Sequence, residues 1–362
     1  MKYGVSIDWL AFYVKFDSGH FERVAIPNGA FAGTLDWGYR KAEHGTKQFG
    51  ELWHIYHCGE PFAELQSEPY SGVLEQGTGI VKFDNRLLYT VNMWYYIDMF
   101  LLEHHISIIS ISRVDLCADF NRFKDYDCIK FVSDFMTEKL RHKGRGVGAS
   151  YFNHYATRNG KFSKAVLKYT GLSFGSRQSG VRVYLYNKSF ELLTVKNKPY
   201  IRDFWQAAGL DITKDVWRLE VSITSGAKLF KCKQSGKRVE VSADGVRDGR
   251  ELVKLYHTFV SKYFSFVRNR AGITNITREP VIPLFEGNAH YMHGTIRNKS
   301  CSNRTERVLI KQLWQMSERY RGQGLVAEKD FTRDLALSVA NSCDLTNWLS
   351  RKSQIWGKVD KK

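Results

Sequence analysis

The stretch Gly171–Lys188, GLSFGSRQSGVRVYLYNK, decides how this chain is read. Its centre, Gly175-Ser176-Arg177-Gln178-Ser179-Gly180, predicts a turn, with glycine supplying backbone freedom at both ends. The residues that follow alternate. Val181, Val183 and Leu185 fall on one side; Arg182, Tyr184, Tyr186 and Lys188 fall on the other. This is the pattern of a half-buried strand whose second face carries cations and phenols. Cations hold a phosphodiester, and a phenol oxygen can attack phosphorus. Tyrosine, arginine and lysine on an open strand face are also ordinary surface chemistry, so this strand alone does not choose between the two.

Two further segments repeat the design. In Arg113-Val114-Asp115-Leu116-Cys117-Ala118-Asp119-Phe120, the second half of a strand expected over 106–120, the apolar residues share one face. Arg113, Asp115, Cys117 and Asp119 share the other. In Trp217-Arg218-Leu219-Glu220-Val221-Ser222-Ile223, the polar face holds Arg218, Glu220 and Ser222. If the three strands lie in one antiparallel sheet, helices cover the apolar face and the other face is an open polar platform. Carboxylates beside phenols and cations suit metal-assisted phosphoryl transfer. Strand positions two apart are ~7 Å apart and those four apart ~13 Å, so Asp115 and Asp119 do not share one ion directly. Asp115 with Glu220 is the preferred pair, with Asp119 behind them. The alternative is that these carboxylates only pair with Arg113, Arg182 or Arg218.

Outward from these strands, residues 3–16 predict an opening strand and 29–79 a run of antiparallel strands and turns. His54 and His57 face opposite ways in a strand and do not form a metal pair. Helices are expected over 91–104, 125–141, 189–195, 199–208 and 251–268, with Pro199 at a first helical position and Gly209 as a stop. Gly144-Arg145-Gly146-Val147-Gly148 follows a helix and lacks GK[ST], so it is not a P-loop. Residues 228–241 predict a basic hairpin carrying Lys228, Lys231, Lys233, Lys237 and Arg238. The tail from about 303 reads as helical.

The whole chain of 362 residues has 54 Lys and Arg against 37 Asp and Glu, a formal charge of +17. That balance favours a polyanionic partner, most often nucleic acid; a basic protein of membrane surfaces is the other reading. Hydrophobic residues at 43% exclude global disorder. The six cysteines include no CxxC pair, which argues against a zinc ribbon, and their scatter suits reduced thiols in a cytosol. The N-terminus reads as a strand rather than a signal peptide, and the apolar stretch 94–111 is broken by Asp98, Glu103, His104 and His105, so no membrane span is expected.

FGSRQSG, followed at the same offset by YNK, resembles the FGS-R-x-S…R-x-Y-x-K signature of rolling-circle replication initiators. These are the transferase-type Rep initiators of plasmids and filamentous phages, with related relaxases. RVDLCADF is similar to their R-[LVI]-D-[LIV]-x-x-D strand and WRLEVSI to their R-[LIV]-E strand. IDWL and VKFDNRLLY are similar to phage members, and length and basicity match initiators of filamentous vibriophages. The resemblance covers about residues 3–290.

It implies an α+β fold: an antiparallel sheet platform with helices on one face, as in relaxases and nickases, plus a C-terminal helical region. Residues 1–290 would form the nicking and DNA-binding domain and 291–362 the helical region. It places the nucleophilic tyrosine at Tyr186 and the metal-binding acids at Asp115 and Glu220, with Mg²⁺ or Mn²⁺ as the ion. The family usually has arginine two residues before the tyrosine, where this chain has Tyr184. Either Arg182 replaces that cation, or Tyr184 is the nucleophile. The histidine–apolar–histidine pair of other rolling-circle nickases is absent: His104 and His105 are adjacent, and His290 and His293 are wrongly spaced.

The expected activity is nicking and rejoining of one origin strand in the host cytoplasm through a 5′-phosphotyrosyl intermediate. Origin DNA, single- or double-stranded, is the implied partner, with a host helicase and polymerase. A homodimer is left open. Arg177 and the basic hairpin are the candidate DNA contacts. A DNA-binding regulator without chemistry and an RNA-binding sheet protein are the rival classes.

Overall fold

The computed structural model describes residues 3–23, 37–72, 74–143, 149–155, 167–175, 179–194, 197–225, 229–231, 238–270, 275–285, 289–296, 303–342 and 349. Its strands are β1 (Gly4–Phe16), β2 (Trp37–Lys41), β3 (Phe49–His57), β4 (Glu60–Pro69), β5 (Thr78–Phe83), β6 (Ile106–Phe120), β7 (Leu140–His142), β8 (Ala149–Tyr155), β9 (Leu167–Phe174), β10 (Val181–Asn187), β11 (Trp217–Thr224), β12 (Leu229–Lys231), β13 (Arg238–Glu240), β14 (Phe266–Arg268) and β15 (His290–Tyr291). Its helices are α1 (Asn85–Leu88), α2 (Met93–Glu103), α3 (Cys128–Met136), α4 (Lys188–Thr194), α5 (Pro199–Ala207), α6 (Ala243–Arg247), α7 (Gly249–Tyr263), α8 (Asn303–Gly322) and α9 (Val326–Ser342).

The chain divides into two compact units. One comprises Met1–Glu22, Ala42–Trp53 and Ala63–Arg297; the other comprises Arg23–Lys41, His54–Phe62 and Asn298–Lys362.

The first unit is built on an antiparallel sheet in the order β4-β5-β1-β6-β11-β10-β9-β8, with β15 added in parallel to β1. The α+β class expected from the alternating strands is the class observed. Along β10, Val181, Val183 and Leu185 are buried while Arg182, Tyr184 and Tyr186 are half-buried, as period-two alternation requires. Leu219, Val221 and Ile223 of β11 and Val114, Leu116 and Ala118 of β6 continue the buried face. Phe135 of α3 and Phe266 of β14 pack edge-on against Phe174 of β9, with Phe131 and Phe264 behind them. Such aromatic contacts add to plain burial. Helix α7 buries Leu252, Leu255, Tyr256, Phe259 and Val260, and the Tyr256 hydroxyl donates to the Leu219 carbonyl at 3.1 Å.

Two expected helices are shorter than their apolar stripes. The helix expected over 125–141 ends at Met136: Thr137 caps it, Glu138 takes φ +58°, and Leu140 enters β7. The helix expected over 251–268 stops at Tyr263, and Phe266–Arg268 form β14. Strands β7 and β14 pair with each other, so Leu140, Phe266 and Val267 are buried by pairing and packing rather than by helical periodicity. The thiol expectation is also corrected. Cys58 is disulfide-bonded, whereas Cys117 and Cys128 are free and buried.

In the second unit, α8 and α9 are joined by a short turn at Gly324, whose φ of +74° glycine adopts without a Cβ penalty. Ile310, Leu313 and Trp314 of α8 pack with Ala336, Val339 and Ala340 of α9. Among the described residues, no helix is long and apolar enough to cross a membrane.

Candidate active site

Register brings the three polar strand faces together. Tyr184 of β10 lies opposite Glu220 of β11, which lies opposite Cys117 of β6. Arg182, Ser222 and Asp115 form a second row, and Tyr186, Arg218 and Asp119 a third. Directly opposed residues in an antiparallel ladder share a face, so all these groups look onto one side of the sheet. Strand β1 adjoins β6, and its ladder slips between Ile7 and Trp9. Asp8 sits in that irregularity, where a bulge re-aims a side chain.

Tyr186 occupies the centre. Its hydroxyl donates to Glu220 Oε2 at 2.8 Å, and Lys188 Nζ lies 3.4 Å from the same hydroxyl oxygen. Lys188 was expected as the last strand residue; it is instead the first residue of α4, is buried, and pairs with Glu191 at 2.6 Å. Across the ladder from Tyr186 stands Gly171. A Cβ there would come 2.9 Å from Tyr186 Cβ and 2.6 Å from the Leu185 carbonyl oxygen, so glycine allows β9 to close on the tyrosine. At the start of the turn, Gly175 adopts φ +96°.

Electrostatics separate this tyrosine from an ordinary phenol. Enclosure by protein atoms pushes the Tyr186 hydroxyl well above the usual tyrosine range, and the Glu220 charge adds to the effect. The Glu220 carboxyl is pushed up to about 8, first by loss of solvent and then by the like charges of Asp115 and Asp8. Arg218 and the hydrogen bond from Tyr186 oppose that rise.

Arg218 closes one end of the face, and here the expectation of an open platform is corrected. The guanidinium is fully buried. It grips Asp119 in two-pronged fashion, Nε to Oδ1 and Nη2 to Oδ2, both at 2.7 Å. It also donates to Asp8 and to the Tyr89 hydroxyl. Trp205 of α5 donates to Asp119 at 2.7 Å, and the Tyr89 hydroxyl donates to Asp8 at 2.8 Å. Asn85 donates to Asp8 and accepts from Lys198 and Tyr200, each at 2.7 Å. Thus α1, α5 and the turn after α1 roof the polar face at this end. A buried arginine needs such full pairing, because one unmatched partner leaves a charge in a medium that cannot solvate it. Burial alone would raise the Asp8 carboxyl; Arg218 and Lys188 outweigh it and hold the group well below the usual range.

Asp115 is buried and holds Arg113 through both carboxylate oxygens. The Arg113 guanidinium also lies 4.4 Å from the centre of the Trp9 ring. Burial raises the Asp115 carboxyl despite this partner. Asp119 and Asp115 therefore serve different arginines. Among the described residues, no three His, Cys, Asp or Glu side chains form a ready metal cluster. The acids are already matched: Arg218 holds Asp119 and Asp8, Arg113 holds both oxygens of Asp115, and Tyr186 donates to Glu220. Asp115 and Glu220, on neighbouring strands, are the acids that would hold a divalent ion, and Asp115 would do so by releasing one oxygen from Arg113.

The remaining expected site residues fall elsewhere. Arg182 lies over the Tyr184 ring at 5.7 Å, away from the Tyr186–Glu220 pair. Strands β12 and β13 form the expected hairpin, with Lys231 opposite Arg238 in register. Arg177, Lys228, Lys233 and Lys237 lie outside the described residues, as does the loop 144–148. Sequence reading missed Asp8, Asn85, Tyr89, Lys198, Tyr200 and Trp205. The signal available was IDWL and VKFDNRLLY, which contain Asp8, Asn85 and Tyr89.

No family model matches the chain, and no curated protein matches it. Among solved structures, the chain is similar to a rolling circle replication initiator protein from Geobacillus stearothermophilus. That match has 14% sequence identity and a TM-score of 0.44, and covers 77% of this chain and 92% of the other.

Proposed function

We propose that this protein is a rolling-circle replication initiator that cuts and rejoins one DNA strand, with Tyr186 as the nucleophile. The observation that carries the reading is the 2.8 Å hydrogen bond from the Tyr186 hydroxyl to Glu220, with Lys188 beside it, inside the motif that resembles the initiator signature. A hydroxyl within hydrogen-bond reach of a carboxylate, with a cation next to it, is a nucleophile–base arrangement.

Glu220 takes the phenolic proton as the Tyr186 oxygen bonds to phosphorus. The P–O3′ bond breaks, its electron pair stays on the 3′ oxygen, and that oxygen is protonated from solvent. The products are a 5′-phosphotyrosyl protein and a free 3′-OH that a polymerase can extend. The ester conserves the bond, so attack by a 3′-OH reverses the step without ATP. Lys188 stands where it can offset charge on the phenolate and on the phosphate oxygens. Gly171 and the Arg218 network hold the strand ends that fix this geometry. Mg²⁺ or Mn²⁺ held by Glu220 and Asp115, with Asp119 behind them on Arg218, would supply further charge neutralisation at the phosphate.

Supercoiled plasmid carrying the replication origin, incubated with Mg²⁺ or Mn²⁺, tests the reading. The parent protein should relax it and Tyr186→Phe should not, while both bind origin DNA equally. Equal binding with no cleavage by the parent under any divalent ion would leave a DNA-binding regulator in its place.

A further inference from the structure

Behind the roof of the active site lies a groove of about 880 Å³ to which the mechanism above assigns nothing. The turn after α1 joins the two. Tyr89 sends its side chain to Arg218, while Thr90 and Asn92, immediately after it, line the groove. The start of α2, the start of α7 and the segment 289–294 form the walls. The volume lies within the range of about 300–1,000 Å³ usual for small-ligand sites.

The walls carry flat and cationic groups. Trp94 and Tyr95 stand at the start of α2, and Tyr95 is 65% exposed. Tyr291 and His293 meet edge-on at 4.9 Å on the facing wall. Gly249 at the start of α7 lets Tyr291 lie close, since a Cβ there would stand 2.8 Å from Tyr291 Cβ. Arg247 lies 5.1 Å from the Trp94 ring and is neutralised by Asp98. Arg250 is exposed at the groove. Asp248, the acid of the rim, already caps α7 by accepting from the Arg250 and Glu251 backbone amides. The Trp94 indole N–H is buried without an acceptor among the described residues, an uncommon state for a native donor.

We infer that this groove binds an unpaired segment of the DNA strand, with a base stacked on Tyr95 and a phosphate on Arg250. Exposed aromatic faces beside arginine suit single strands, because only unstacked bases offer a free π-face. The chain's charge of +17 favours a polyanion over an acidic peptide or neutral ligand. The groove and the Tyr186 site share the turn that carries Tyr89 and Thr90. The inference rests on the reading of the chain as a DNA strand transferase, but its test does not use cleavage.

Fluorescence anisotropy with a labelled oligo-dT probe, on the full chain without divalent ions, measures single-strand affinity. Tyr95→Ala and Arg250→Ala alter exposed side chains outside the proposed nicking machinery. Tyr95→Ala should weaken oligo-dT binding about tenfold, within the range for one stacked base, and Arg250→Ala should weaken it through the lost phosphate contact. Arg250→Ala should also reduce the slope of log K against log salt by about 0.7. Tyr186→Phe should bind oligo-dT like the parent, so a failure of the nicking reading leaves this result interpretable. Unchanged affinity in both groove variants would overturn the inference. So would an equal loss on a duplex of the same length, or displacement of the probe by an acidic peptide more readily than by unlabelled oligo-dT.

Discussion

Tyr186 does not bond to the residue it faces. Its register partner on β11 is Arg218, yet its hydroxyl reaches Glu220 in the next row, which stands opposite Tyr184. Arg218 is committed to Asp119, Asp8 and Tyr89, so it leaves the phenol to the carboxylate. The diagonal contact gives Tyr186 a base, whereas Tyr184 lies beneath Arg182.

The pH dependence follows from Glu220. It accepts a proton only when ionised, and its carboxyl stands at about 8. Without a divalent ion Glu220 becomes an acceptor only as pH rises through about 8; a cation beside it favours the carboxylate, so the plateau of single-turnover nicking should move to lower pH as Mn²⁺ concentration rises, and Glu220→Gln should abolish that nicking. Stability runs the other way. The folded-state value lies above the ordinary glutamate value of 4.5, so the folded chain binds more protons than the unfolded one between about 4.5 and 8. Glu220 then costs stability progressively across that window. In chelator, Glu220→Gln should melt a few degrees higher than the parent at pH 8.5 and at the same temperature at pH 4. A flat nicking profile with a lower melting temperature in Glu220→Gln would remove Glu220 from both roles.

The pairing of Arg218 with Asp119 predicts a structural defect rather than a metal defect. Asp119→Asn removes the charge facing a fully buried guanidinium. Breaking a buried pair from one side costs about 3–5 kcal/mol. Urea denaturation should show a loss of that order, unrelieved by Mg²⁺ or Mn²⁺. Near-parent stability with weakened metal dependence would instead make Asp119 a ligand.

How much of this was legible in sequence depends on the kind of residue. Asp115, Tyr186, Arg218 and Glu220 could be placed on one face because strand alternation is local and three segments shared it. Their partners could not. Asp8 lies 210 positions and Tyr89 129 positions from the Arg218 they contact, and neither stands in a charged alternating row. Asp8 reaches inward only because the β1–β6 ladder slips there, and no residue pattern announces a bulge. The misread ends of α3 and α7 have a similar origin. Leu140, Phe266 and Val267 extend the apolar helical stripe, but long-range pairing of β7 with β14 decides their state.

Asp115 tests the metal. Asp115→Asn keeps the shape and removes one charge from the crowded set around Glu220. Metal-dependent nicking should need a higher Mn²⁺ concentration, by about tenfold or more, while origin affinity stays equal or improves through reduced repulsion. An unchanged metal titration would assign Asp115 to Arg113 alone.

The β12–β13 hairpin sets Lys231 opposite Arg238. If both touch phosphates, Lys231→Ala with Arg238→Ala should weaken binding to origin and random duplex alike. The slope of log K against log salt should fall by up to about 0.9 for each lost contact. Nicking should recover at high protein concentration. Unchanged affinity and slope would make the hairpin a charged edge that resists aggregation.

The most direct measurement is the identity of the protein–DNA bond. A single-stranded origin oligonucleotide with a phosphorothiolate at the cleavage position traps the covalent intermediate, because its 3′-thiol leaving group rejoins poorly. Proteolysis and mass spectrometry of the adduct then locate the modified residue. The account predicts a nucleotide on Tyr186, carried through its 5′-phosphate, and none in Tyr186→Phe. An adduct on Tyr184, or cleavage that leaves no covalent adduct, would contradict it.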